Sequence, residues 1–114
     1  MLSFVVPVFD EEESIEAFHK ELTRVAGELG EPYEIVFVDD GSRDKTLEIL
    51  KSLRTKELKG SNGKDIRIYS FQRNHGKAEA LTFGFQRAEG DTIVTLDADL
   101  QDKPTEIEKL LKKQ

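Results

Sequence analysis

The chain has 114 residues, 37% of them hydrophobic and 35% charged, enough for one domain around one modest core. A net charge of −6 excludes the basic field that non-specific nucleic-acid binding requires, so no nucleic-acid partner is expected. Cysteine is absent, which removes any disulfide or thiolate-metal framework, and no apolar run approaches the roughly 20 residues that span a bilayer, so the chain as it stands reads as soluble.

Leu2 to Val8 is a short apolar run rich in β-branched residues and reads as a buried strand. Asp10 is then expected to cap a helix, with Glu13 completing a capping box and Glu11 and Glu12 suiting the positive helix start. Ile15, Phe18, Leu22, Val25, Ala26 and Leu29 recur at helical spacing before Gly30 stops the helix, and His19 falls on its flank. Tyr33 to Val38 predicts a second strand, ending in Asp39-Asp40-Gly41-Ser42. The helix after it carries Leu47, Leu50 and Leu53 on one face, with Asp44 as its cap. Lys59-Gly60-Ser61-Asn62-Gly63-Lys64 is the best loop signal. Ile66 to Phe71 predicts a third strand and Lys77 to Ala88 a third helix. Thr92 to Leu96 is a fourth strand, running into Asp97-Ala98-Asp99-Leu100-Gln101-Asp102, and Pro104 suits the first turn of a last helix.

Strands alternating with helices imply crossover connections. The expected fold class is therefore α/β, a Rossmann-like parallel sheet of about four strands with helices on both faces. Ligands of such sheets sit beyond the carboxyl ends of the strands, and three acidic clusters fall there: Asp10-Glu11, Asp39-Asp40 and Asp97-Ala98-Asp99. Caps and tight turns account for several of these acids one at a time. Their sum at one sheet edge calls for an offsetting positive charge. Mg²⁺ or Mn²⁺ would supply it, since both prefer hard oxygen ligands and bind through one or two carboxylates plus substrate phosphates. Asp97 and Asp99, with Gln101 adding an amide oxygen, are the candidate ligands, and a nucleotide diphosphate the candidate substrate group.

In order and spacing, Val5-Val6-Pro7-Val8-Phe9-Asp10-Glu11, Val38-Asp39-Asp40-Gly41-Ser42 and Asp97-Ala98-Asp99-Leu100-Gln101 resemble the family 2 glycosyltransferases of the GT-A fold. The run from Leu96 to Pro104 looks most like the branch that charges polyprenyl or dolichyl phosphate with a sugar. The resemblance covers the whole chain but only the first, nucleotide-binding half of that family's catalytic domain, so residues 1–114 are expected to be a donor-binding half. It implies that Pro7, Phe9 and Glu11 line the nucleoside pocket, that Val38 and Asp39 or Asp40 contact the base, and that Ala98 lies beside the nucleotide. It also implies that Asp97, Asp99 and Gln101 hold the metal, and that the catalytic base lies in the other half. Phe9 and Asp10 stand where tyrosine and asparagine are common in the family.

His75 and Lys77 open the third helix, where basic side chains can meet phosphate. Lys77 is kept as a nucleotide contact and His75 is read as a solvent-facing loop residue; the P-loop pattern is not met. The implied reaction is metal-dependent transfer of a sugar from a UDP- or GDP-sugar to an acceptor such as a lipid phosphate at the membrane. The chain itself would be cytoplasmic and inactive alone. Two other folds fit poorly. A receiver domain would need an aspartate after the third strand, and a dinucleotide-binding domain would need Gly-x-Gly-x-x-Gly after the first. A non-catalytic interaction module of the same fold stays open. Finally, an uncovered fourth strand is expected to promote self-association, with Val94→Lys shifting the chain toward monomer without abolishing the fold.

Overall fold

Branching at the β-carbon favours a pleated surface: Val5, Val6 and Val8 mark one central strand, Ile35, Val36 and Val38 the other, and Thr92-Ile93-Val94-Thr95 the strand beside the first. The computed structural model describes residues 1–59 and 64–98. Its elements are β1 (Leu2–Val8), α1 (Ile15–Glu28), β2 (Tyr33–Asp39), α2 (Thr46–Lys59), β3 (Lys64–Ser70), α3 (Lys77–Arg87) and β4 (Thr92–Thr95). The sheet is parallel throughout, in the order β3-β2-β1-β4. β4 therefore lies beside β1. The register sets Val8 of β1 opposite Asp39, and Val5 opposite Thr95. All four strands thus run out at the same edge.

Alternation along each strand separates two cores. Phe4, Val6 and Val8 of β1 and Ile35 and Phe37 of β2 pack with Ile15, Phe18, Leu22 and Val25 of α1 and Leu50 of α2. Val5, Val36 and Val38 face the other way, against Ala80 of α3. There Gly84 lets α3 approach closely, since a Cβ on it would land on the Val5 side chain. His19, read from sequence as a flank residue, is buried on the α1 side near the Phe37 ring. On α2, Thr46 and Leu50 are fully buried while Leu47 is only half-buried, so the inward face is turned slightly from the leucine stripe.

At the opposite edge a buried polar network holds the connection into β4. Glu34 accepts the Ser3 hydroxyl and the Glu89 N–H, both at 2.6 Å, and the Gly90 N–H donates to Ser3 Oγ at 2.8 Å. Arg67 bridges Glu34 and Glu89 from β3. Most buried polar groups in folded proteins are hydrogen-bonded in this way.

The first helix differs from expectation at its start. It begins at Ile15, with Ser14 at the cap position, so Asp10 does not cap it. Asp10 instead adopts a left-handed backbone at φ 51, a conformation aspartate tolerates better than most residues. Asp44 does cap α2, accepting the Thr46 N–H at 2.9 Å. Most of the expected loop (60–63) and the expected last helix with Pro104 lie outside the described residues. Among those described, no helix is long and apolar enough to cross a membrane.

β4 is an edge strand among the described residues, and its two faces differ sharply. Val94 is 8% exposed and belongs to the α1-side core, whereas Ile93 is 41% exposed. Lysine at position 94 would bury an unpaired charge, so the expectation that Val94→Lys leaves the fold intact does not hold. In urea melts, Val94→Lys should cost roughly 2–4 kcal/mol or prevent folding, and Ile93→Lys should stay within about 0.5 kcal/mol of the parent chain. Equal midpoints for the two variants would contradict the facing of β4.

Candidate nucleotide and metal site

The carboxyl ends of β1, β2 and β4 and the start of α3 enclose an open cleft of about 140 Å³, lined by Pro7, Val8, Phe9, Glu11, Asp40, Lys77, Asp97 and Ala98. Six of the eight residues assigned from sequence to the nucleotide are therefore on one surface: Pro7, Phe9, Glu11, Asp40, Lys77 and Ala98. Phe9 is exposed at the rim, with its ring free for a flat partner. Val38 and Asp39 are not on that surface. Strand alternation turns Val38 into the α3-side core and Asp39 toward the loop that precedes α2.

The acids at this edge are satisfied mainly by backbone N–H groups. Asp40, almost fully buried, accepts the His75 N–H at 2.7 Å, the Gly76 N–H at 3.0 Å and the Asn74 side-chain amide at 3.0 Å. Asp10 accepts the Arg43 N–H and donates its own N–H to Ser42 Oγ, both at 2.8 Å. Asp44 accepts the Glu12 N–H at 3.2 Å besides capping α2. Burial alone would push the Asp44 carboxyl up, but the hydrogen bonds from Thr46 and Glu12 outweigh it and leave it below the usual range. Charge-assisted bonds of this kind are the stronger class, and they offset part of the repulsion that seemed to demand a metal.

Asp39 is the exception. It is 2% exposed, its Oδ1 has no hydrogen-bond partner among the described residues, and Oδ2 accepts a long bond of 3.3 Å from the Ser42 N–H. Burial raises its carboxyl above the usual range. The Ser42 hydrogen bonds oppose that rise, and the charges of Asp44 and Asp10 add to it.

Asp97 takes its positive partner from a side chain. Lys77 Nζ lies 2.5 Å from Asp97 Oδ1, with the two side chains 60% and 47% exposed. Exposed pairs contribute only about 0–1 kcal/mol, so this contact is readily exchanged. Asp99 and Gln101, the other two expected metal ligands, lie outside the described residues. Among those described, no group of three or more His, Cys, Asp or Glu side chains is placed to hold a metal ion.

Sequence reasoning missed the residues that fix the cleft walls. Ser14 donates to Glu11 Oε2 at 2.8 Å and lies 3.3 Å from the Ala98 carbonyl oxygen, tying the start of α1 to the segment that follows β4. Thr46 Oγ1 accepts the Glu11 N–H at 2.9 Å. Asn74 and Gly41 seat the third loop on the second, where a Cβ on Gly41 would collide with the Arg73–Asn74 backbone. Gly41, at φ 75, was legible from its Asp-Gly-Ser setting. The others depend on which loops the sheet order makes neighbours.

Residues 3–114 match the family model described as Glycosyl transferase family 2. The undecaprenyl-phosphate 4-deoxy-4-formamido-L-arabinose transferase of Pectobacterium carotovorum is 40% identical over 110 residues, covering 96% of this chain and 32% of that protein. The enzyme of the same name from Pseudomonas aeruginosa is 37% identical over 113 residues, covering 99% and 32%. The chain thus spans about a third of the length of these curated relatives. Among solved structures, Staphylococcus aureus TarS 1–349 in complex with UDP superposes with a TM-score of 0.66 at 25% identity, over 86% of this chain and 27% of that one. A further TarS 1–349 structure, at 21% identity and TM-score 0.69, supports the fold alone. With the family model spanning nearly every residue, and with the sheet and cleft described above, the chain belongs to glycosyl transferase family 2.

Proposed function

We propose that this chain is the donor-binding part of a sugar transferase that takes a UDP- or GDP-linked sugar and delivers it to a polyprenyl phosphate at the cytoplasmic face of a membrane. The observation that carries the reading is the single cleft in which Phe9, Glu11, Asp40, Lys77 and Asp97 meet at the carboxyl edge of a parallel sheet. The names of the transferases it resembles support the lipid-phosphate acceptor, and the UDP complex of TarS supports the nucleotide. Phe9 offers a face to the base, and Asp40, which lines the cleft, keeps a lone pair beyond its three protein donors for an imino N–H of uracil or guanine. Asp97 fits as one hard oxygen ligand for Mg²⁺ or Mn²⁺ and would share the ion with Asp99 and Gln101. When bound, that ion supplies Lewis-acid stabilisation for the departing diphosphate. A phosphate acceptor, with a second pKa near ~6, is already largely ionised at neutral pH and needs little help from a base. Self-association along the edge of β4 left open among the described residues is part of the proposal, and light scattering that finds only monomer at high concentration would remove it.

UDP or GDP should raise the melting temperature only when Mg²⁺ or Mn²⁺ is present, because ligand that binds the native state alone stabilises by RT ln(1 + [L]/Kd). Nucleotide shifts that survive EDTA would sink the metal assignment. No shift with any nucleotide would favour a non-catalytic interaction module.

Substitutions at the three aspartates of the second and first loops should separate. Asp40→Asn should weaken nucleotide binding in calorimetry by roughly 1–3 kcal/mol, through the lost charge-assisted acceptor and the loosened seat of residues 74–76. Asp10→Asn keeps the oxygen that accepts the Arg43 N–H and should leave affinity nearly unchanged, as should Asp39→Asn. Losses of the same size at positions 39 and 40 would show that the geometric separation is wrong.

Asp39→Asn should reveal itself in stability against pH instead. The folded carboxyl is raised, so its ionised form carries a cost at neutral pH that is relieved on protonation. Parent stability relative to Asp39→Asn should therefore rise as pH falls, from the raised folded value down to the ordinary 3.8. A flat difference across that window in urea melts would contradict it.

A further inference from the structure

We propose that Lys77 is a tethered counter-cation for Asp97, displaced when a divalent cation binds and then left facing the diphosphate. This rests on the reading of Asp97 as a metal ligand and assigns a role to a residue outside the ligand set. Lys77 Nζ sits 2.5 Å from Asp97 Oδ1 on the lining of the same cleft. The other acids of this edge behave differently: Asp10, Asp40 and Asp44 are engaged by backbone N–H groups, so the ammonium is directed to Asp97.

The root of the tether is fixed and its end is loose. Lys77 is the first residue of α3, and the two N–H groups just before it, of His75 and Gly76, are held by Asp40. The four-carbon stem beyond is flexible and its head is 60% exposed. A lysine at a helix start also opposes the helix dipole, so local helix stability does not account for its placement. The contact with Asp97 does.

A divalent cation coordinates the carboxylate oxygen directly and with twice the charge, which an ammonium held in a solvent-exposed pair cannot match. Displaced, the ammonium stays within its stem's length of the cleft, where an incoming diphosphate brings new negative charge. Asp97 is thereby kept paired before the metal arrives. Lys77 is a positioning residue for the two charged groups and takes no part in bond making.

The test uses Mn²⁺ with the 114-residue chain, followed by the electron paramagnetic resonance signal of free Mn²⁺ without nucleotide. Lys77→Met should bind Mn²⁺ about two- to fivefold more tightly than the parent, the factor set by removing an exposed competing pair. At saturating Mn²⁺ it should bind UDP or GDP more weakly in calorimetry. Lys77→Arg should stay near the parent in both, and Lys45→Met, an exposed lysine off the cleft lining, should change neither. A merely structural lysine would weaken both affinities together. Unchanged or weaker Mn²⁺ binding by Lys77→Met overturns the inference and leaves the donor-site reading standing. A parent chain that binds no Mn²⁺ overturns the inference together with the metal assignment on which it rests.

Discussion

Four parallel strands that stop at one edge leave four polar connections side by side, and every N–H and C=O in them must find a partner without a further strand to supply it. The carboxylate of Asp40 meets that constraint at the centre. Buried between the second and third loops, it collects three N–H donors and so fixes the path of residues 74–76 and, through them, the first residue of α3. Asp10 stitches the first loop to the second, and Ser14 reaches the segment that follows β4. The cleft is the space these stitches leave open. Its walls are held from behind by hydrogen bonds within the protein, so the geometry does not wait for a ligand.

This changes how the negative charge of the edge is understood. Taken along the chain, the clusters look like an unbalanced field that only a metal would neutralise. In space, most of that charge is met by backbone dipoles, and one carboxylate on the cleft lining carries an ion pair with a lysine. The metal binding proposed for the site thus falls on Asp97. A carboxylate that is half in water can change partners in a way the buried Asp40 cannot.

Much of the fold was legible in the sequence. The alternation of β-branched runs with helical periodicity located all seven described elements, and the crossover logic predicted a parallel sheet. The start of α1 was misread because Asp10-Glu11-Glu12-Glu13 satisfies a capping rule written in local spacing, while the actual partners of Asp10 are 32 and 33 residues away. Asp39 and Asp40 could not be told apart for the same reason. Adjacent strand residues point to opposite faces, and which face holds the cleft depends on where α3 crosses. The motif residues themselves were legible. What they touch was not, because those contacts join loops that only the strand order β3-β2-β1-β4 makes neighbours.

Gly84 has a reach that its position hides. It sits where α3 rests on Val5, and the bare backbone there sets the height of the helix above the sheet. Lys77 is seven residues earlier on the same rigid rod, roughly 10 Å along the axis at 1.5 Å per residue. A side chain at position 84 would act as a wedge under a lever, and the far end of that lever is the rim of the cleft. The gap between Lys77 and Asp97 is therefore set partly by an atom that is missing two turns away. Changes in the width of this site among related proteins can arise from substitutions that no inspection of its lining would single out.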